Sequence, residues 1–129
     1  MPTIPWMNAN SADDTAEVLV MASRFEVKSL SQVPGFFMTS MKLWRQALRS
    51  KGALGVSLRA DLLSRTFWTL SAWTDRAAIN AYAGSEPHKS AMRRKRKVMK
   101  ESTFVFWTVP ASALPMKWDD AVTRINAER

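Results

Sequence analysis

The spacing of apolar positions changes along the chain, and each change marks an element. Residues 17–27, EVLVMASRFEV, are β-branched and apolar with few turn formers, and predict a strand. Val33-Pro34-Gly35 is a turn signal, with proline placed to open a helix. Phe37, Met41, Trp44 and Leu48 then recur at i, i+4, i+7 and i+11, one face of an amphipathic helix over about 35–49. Lys42, Arg45, Gln46 and Arg49 take its wet side, and Lys51-Gly52 ends it.

Residues 53–61 and 66–73 read as two strands, the second rich in Thr, Phe and Trp. The short link at 62–65 makes them an antiparallel hairpin. Thr74-Asp75 caps a helix whose buried stripe is Ala78, Ala81 and Tyr82, and Gly84 closes it. A further helix is predicted from Ser85-Glu86-Pro87 to about Lys100, with Ala91, Met92, Val98 and Met99 as its apolar positions. STFVFWTV, 102–109, is a fourth strand. Trp118, Val122 and Ile125 mark a C-terminal helix, with Asp119 and Asp120 in its favourable first turn. Residues 1–16 are polar with two prolines and read as a flexible leader, which leaves 17–129 as one domain.

The order strand, helix, strand, strand, broken helix, strand, helix is the split β-α-β arrangement of an α+β, ferredoxin-like two-layer sandwich. Helices cover one sheet face. The other face is not polar enough for water either: on 66–73 one side carries Trp68, Leu70 and Ala72 and the other Phe67, Thr69, Ser71 and Trp73, and on the last strand one side carries Thr103, Val105 and Trp107 and the other Phe104 and Phe106. Pairing with a second copy, sheet to sheet, is the economical cover.

Composition removes many chemistries. No cysteine means no disulfide, thiolate nucleophile or iron–sulfur cluster, and a single histidine excludes a multi-histidine metal site within one chain. Four glycines argue against a phosphate-cradling loop, and no Ser-His-Asp pattern, acidic pair or EF-hand appears. No apolar run approaches the ~20 residues of a membrane span. The N-terminal stretch lacks a secretory pattern, so the cytoplasm is the expected location. The net charge of +8 is concentrated: seven cations fall between Lys89 and Lys100. A nucleic-acid binder would more often spread them along a face, and a solvated helix face is the stronger reading here.

The junction WTLSAWTDRAAINAY followed by Pro87-His88, and the closing STFVFWTVP, resemble the dimeric α+β barrel superfamily, in particular the antibiotic-biosynthesis-monooxygenase-like and spheroidene-monooxygenase-like proteins. The likeness covers about 17–110 and rests on Trp73, Asp75, Tyr82, Pro87 and His88. It implies a homodimer whose sheets enclose a cavity. Relatives use such cavities for cofactor-free oxygenation of phenolic or polycyclic compounds, for haem binding or degradation, or for isomerisation. In spheroidene-monooxygenase-like members a histidine after Gly-Pro or a similar pair sits near the cavity, and the resemblance puts His88 there. Glu86 stands where glycine is common, and the long extensions of some members are missing, so a carotenoid substrate is not implied.

The candidate catalytic residues are therefore His88 and Arg24. His88 lies just inside a helix N-terminus, where neutral imidazole is favoured as a base or a haem ligand. Arg24 alternates with Val18, Val20 and Ala22, and becomes an internal cation if that side faces the cavity. Trp68, Trp73 and Trp107 are candidates to line an aromatic pocket, with ordinary core packing as the alternative. Tyr82 falls on a helix stripe, which suits core before proton donation. Thr69 and Ser71, beside Trp73, are candidate hydroxyl contacts.

Three readings follow. The first is a monooxygenase-like enzyme acting on a small aromatic or lipophilic compound. The second is a non-catalytic binder of haem or a lipophilic ligand. The third, set below these, is nucleic-acid binding through 89–100.

Overall fold

The computed structural model describes residues 3–129. In chain order the elements are β1 (Thr3–Asn8), β2 (Glu17–Val27), α1 (Val33–Leu48), β3 (Ala53–Asp61), β4 (Thr66–Trp73), α2 (Arg76–Gly84), α3 (His88–Lys95), β5 (Met99–Pro110) and α4 (Trp118–Glu128). The strands form one antiparallel sheet in the order β1-β3-β4-β2-β5. Without β1 this is the ferredoxin-like order, with the hairpin partner β4 and the last strand β5 flanking β2.

Side-chain alternation divides the sheet into two cores. One face packs under α1, α2 and α3. Its buried residues include Phe25, Val27, Phe36 and Phe67 at one end and Ala47, Val56, Trp73 and Ile79 at the other. The opposite face carries Val18, Val20, Ala22, Leu70, Ala72 and Val105, and Ala121 and Ile125 of α4 lie against it, fully buried. The indole N–H of Trp118 donates to Ser57 Oγ at 3.0 Å, and Ser57 Oγ donates to the Ile4 carbonyl at 2.7 Å, tying α4 to β3 and β1.

Four features differ from the sequence reading. The second apolar face is covered by the chain's own α4, so its cover does not require a second copy. The segment 3–8, expected within the leader, is an edge strand on β3. It escaped notice because Pro5 reads as a breaker, yet an edge strand tolerates proline where no ladder N–H is needed.

The third difference is the length of α3, which stops at Lys95; a 3-10 turn follows and β5 begins at Met99. Neighbouring like charges over 93–97 weaken the helix. Pairing of Met99 with Val27 and of Glu101 with Glu26, backed by Lys100 Nζ at 3.3 Å from Glu26, favours the strand. Finally, α1 is rotated: Val33, Phe36 and Ala47 are its buried positions, while Phe37 and Leu48 are only partly covered. The Phe36-Phe37 doublet allows either phase, and packing against Phe25 and Phe67 selects Phe36.

Candidate functional site

Between the sheet and the α1–α3 layer lies a cavity of about 110 Å³. Strand alternation supplies its floor. Met21, Ser23 and Phe25 of β2 share the helix-facing side with Thr69, Ser71 and Trp73 of β4, and the register places Ser23 opposite Thr69 and Phe104. The helices supply the roof: Phe36, Leu43 and Trp44 from α1, Tyr82 from α2, and His88, Met92 and Lys95 from α3. His88, Ala91, Met92 and Lys95 stand at i, i+3, i+4 and i+7, so one face of α3 carries all four.

The polar groups of this cavity are mostly engaged. Ser23 and Thr69 hydroxyls bond one another. The Trp73 indole N–H donates to Ser71 Oγ at 2.9 Å, which fixes a fully buried ring. Tyr82 stacks 5.2 Å from Trp73 and donates its hydroxyl to the Leu43 carbonyl at 3.1 Å. Burial pushes its phenol pKa well above the ordinary 10, so it stays protonated. The indole N–H of Trp44 is buried with no acceptor among the described residues.

His88 is half-buried against Tyr82, with ring centroids 4.6 Å apart. Its Nδ1 lies 3.2 Å from the Ala83 carbonyl. A carbonyl only accepts, so Nδ1 carries the proton and Nε2 keeps a free lone pair. Burial lowers the imidazole pKa below 6.5, and the bond to Ala83 opposes this only in part. His88 is therefore neutral at pH 7 and can accept a proton through Nε2. Glu86 holds the start of α3 by accepting from the Ser90 backbone N–H at 3.1 Å.

Five of the expected site residues thus come together: Thr69, Ser71, Trp73, Tyr82 and His88. Three do not. Arg24 lies on the α4 side of the sheet, 8% exposed, bonded to Glu26 at 3.3 Å and Glu101 at 3.2 Å. Its guanidinium sits over the Trp68 ring at 5.4 Å. Trp107 is likewise on the α4 side, under Arg124 at 4.5 Å. These two indoles stack on the chain's own arginines and pack with the α4 core, away from the cavity. Lys95 and Trp44 are the site residues that sequence reasoning missed as such. Trp44 was placed on the apolar stripe of α1, and Lys95 was absorbed into the basic run. The i, i+7 spacing of His88 and Lys95 is the signal that could have found the lysine.

Haem, which the resemblance implies, does not fit here. The cavity is well below the roughly 300 Å³ at which pockets for drug-sized ligands begin. Arg24, the candidate internal cation, faces the other way. Among the described residues no cluster of three or more His, Asp or Glu side chains could hold a metal ion, and no helix is long and apolar enough to cross a membrane.

Solved structures share this architecture. An antibiotic biosynthesis monooxygenase superposes with a TM-score of 0.63 at 16% identity, over 69% of this chain and 95% of the other. SnoaB from Streptomyces nogalater, described as a cofactor-independent oxygenase, gives 0.61 at 17% identity, over 77% and 98%. A conserved protein from Methanosarcina mazei gives 0.61 at 18%, over 73% and 93%. At these identities the likeness is one of fold. No curated protein sequence matches the chain. The model of a family described as a domain of unknown function, DUF3291, matches residues 3–129. The chain belongs to the DUF3291 family, and its fold is that of the antibiotic-biosynthesis-monooxygenase-like group of ferredoxin-like α+β proteins.

Proposed function

We propose that this protein is a cofactor-independent monooxygenase of a small aromatic compound, with the cavity under α1–α3 as its active site. One observation carries the reading. An apolar cavity, floored by Trp73 and Phe104, contains one neutral imidazole whose Nε2 is free and whose tautomer is fixed by Ala83. This is the equipment for removing a proton from an acidic carbon in an apolar site.

The chemistry balances without a cofactor when the substrate supplies the electrons. His88 Nε2 takes a proton from a CH₂ flanked by an arene and a carbonyl, which leaves a delocalised carbanion. The carbanion passes one electron to O₂, and the radical pair joins as a carbon–oxygen bond, giving a peroxide anion. The imidazolium returns its proton to the distal oxygen. Loss of water with the remaining C–H proton leaves a carbonyl, so that CH₂ and O₂ become C=O and H₂O. Trp73 and Tyr82 are positioning residues. Tyr82 packs on His88, and its hydroxyl is committed to Leu43. Thr69 and Ser71 shape the floor.

Oxygen uptake over a panel of one- and two-ring aryl ketones with an activated CH₂, with phenols and quinols alongside, tests the proposal. The expected result is substrate-dependent uptake that falls about 10²–10⁴-fold in His88→Gln, the usual contribution of a positioned base. No uptake with any panel member, or uptake indifferent to His88, overturns it.

A second reading is favoured by the saturation of Ser23, Thr69, Ser71 and Tyr82 with internal partners: the cavity binds a lipophilic molecule without chemistry. A co-purifying ligand that survives incubation with oxygen unchanged supports it.

A homodimer is also part of the proposal. Its support is β5, a 12-residue edge strand with Phe104 and Phe106 exposed at 47% and 36%.

A further inference from the structure

We infer that the cavity selects an anionic ligand, an aromatic carboxylate of one or two rings whose oxygens are held by Lys95. The inference deepens the reading above and rests on this cavity being the ligand site. Two nitrogen donors line the cavity without an acceptor among the described residues. Lys95 makes no ion pair among the described residues, and the buried indole N–H of Trp44 is unpartnered. No aspartate or glutamate lines the cavity, and the first turn of α1 holds none either.

The ammonium group lies beside the start of α1. A methyl group at Gly35 would sit 3.3 Å from Lys95 Nζ, so the glycine at the start of α1 leaves the room that Nζ occupies. An ammonium with no carboxylate partner at the edge of an apolar cavity gives a ligand carboxylate charge-assisted hydrogen bonds.

The geometry also sets the ligand's length. His88 and Lys95 lie seven residues apart on one face of α3, about 10 Å of helix rise. A flat ring system can therefore present its anionic end to Lys95 and its reacting carbon to His88. The partly open cavity of about 110 Å³ favours a ligand of one or two rings over a larger one.

Calorimetric titration with 2-naphthoate and with its neutral isostere 2-naphthamide tests this. Wild type is expected to bind naphthoate at least about tenfold tighter than naphthamide, as loss of a charged hydrogen bond implies. In Lys95→Met the preference disappears through loss of naphthoate affinity, while naphthamide binding is unchanged. Lys95→Gln provides the same comparison with a polar side chain, and circular dichroism confirms the fold of both. Lys97→Met, an exposed lysine on the same segment, keeps the wild-type preference.

Equal affinity for the two compounds in wild type overturns the inference, as does a preference that survives in both Lys95 variants. Absence of binding by either compound also overturns it. Oxygen uptake with neutral panel compounds is read separately, so the reaction can stand when the anion preference fails, and can fail when the preference stands.

Discussion

Gly55→Ala should destabilise the protein through a single identifiable clash. Gly55 pairs with Asn8 across the β1–β3 ladder, and a Cβ there would lie 2.2 Å from Trp6 Cε2 and 2.3 Å from Cζ2 and Nε1. Ordinary contact begins at 3.4 Å, so the indole must withdraw by the difference, 1.2 Å. Trp6 packs against the α4 core, and its withdrawal strips cover from that core.

Overpacking of this kind costs about 1–3 kcal/mol. Replacing a strand glycine with alanine returns about 0.5–1 kcal/mol by restricting the unfolded chain. The net expectation is a loss of up to about 2.5 kcal/mol, read as a lower urea midpoint at unchanged slope. The decisive comparison is a double-mutant cycle. In a Trp6→Ala background the obstruction is gone, and Gly55→Ala should become neutral or stabilising by up to about 1 kcal/mol. An equal cost in both backgrounds would refute the reasoning and place Trp6 elsewhere than against Gly55.

Ile125→Ala, a deletion at a fully buried position of α4, should cost about 2–5 kcal/mol by urea titration; a cost below 1 kcal/mol would mean α4 does not seal that face. Tyr82→Phe should cost about 0.5–1.5 kcal/mol by leaving the Leu43 carbonyl without its donor, with oxygen uptake retained; abolished uptake at full stability would make the phenol a participant. The pH dependence follows from His88, whose folded-state pKa lies below 6.5. The unfolded chain then takes up the proton first, so the stability this group contributes is complete above pH 6.5 and is lost as pH falls toward the folded-state value. Urea titrations on either side of pH 6.5 should show this decline and its flattening in His88→Gln. The acid limb of the uptake profile should likewise lie below pH 6.5, and a limb above it would contradict a buried base.

Much of this fold is legible because burial imposes a period. The strands at β2, β3 and β4 and the cap of α2 by Asp75, whose carboxylate accepts from Ala78 N–H at 2.8 Å, follow from pattern alone. The side of the sheet on which each residue stands is less legible. Arg24 and Trp68 are adjacent across β2 and β4, on the same face as Leu70 and Ala72. Alternation places them together but does not say which face lies under α1. Two apolar faces look alike in a sequence, and the choice depends on where α4 docks, an interaction between residues a hundred positions apart. The cavity is hidden for a related reason: Lys95 is one cation among seven until the helix face sets it beside His88.

The sheet also acts as a partition between two kinds of evolutionary freedom. Because neighbouring residues on a strand point to opposite sides, a substitution at Thr69 or Ser71 alters the chamber under α1–α3, while Leu70 between them belongs to the layer sealed by α4. The sealed layer holds fully buried residues of the sheet and of α4 and can carry the folding stability, which releases the chamber from filling its own volume. A lineage, or an engineer, can therefore redraw ligand preference at alternate positions of β2 and β4 while leaving the intervening positions untouched.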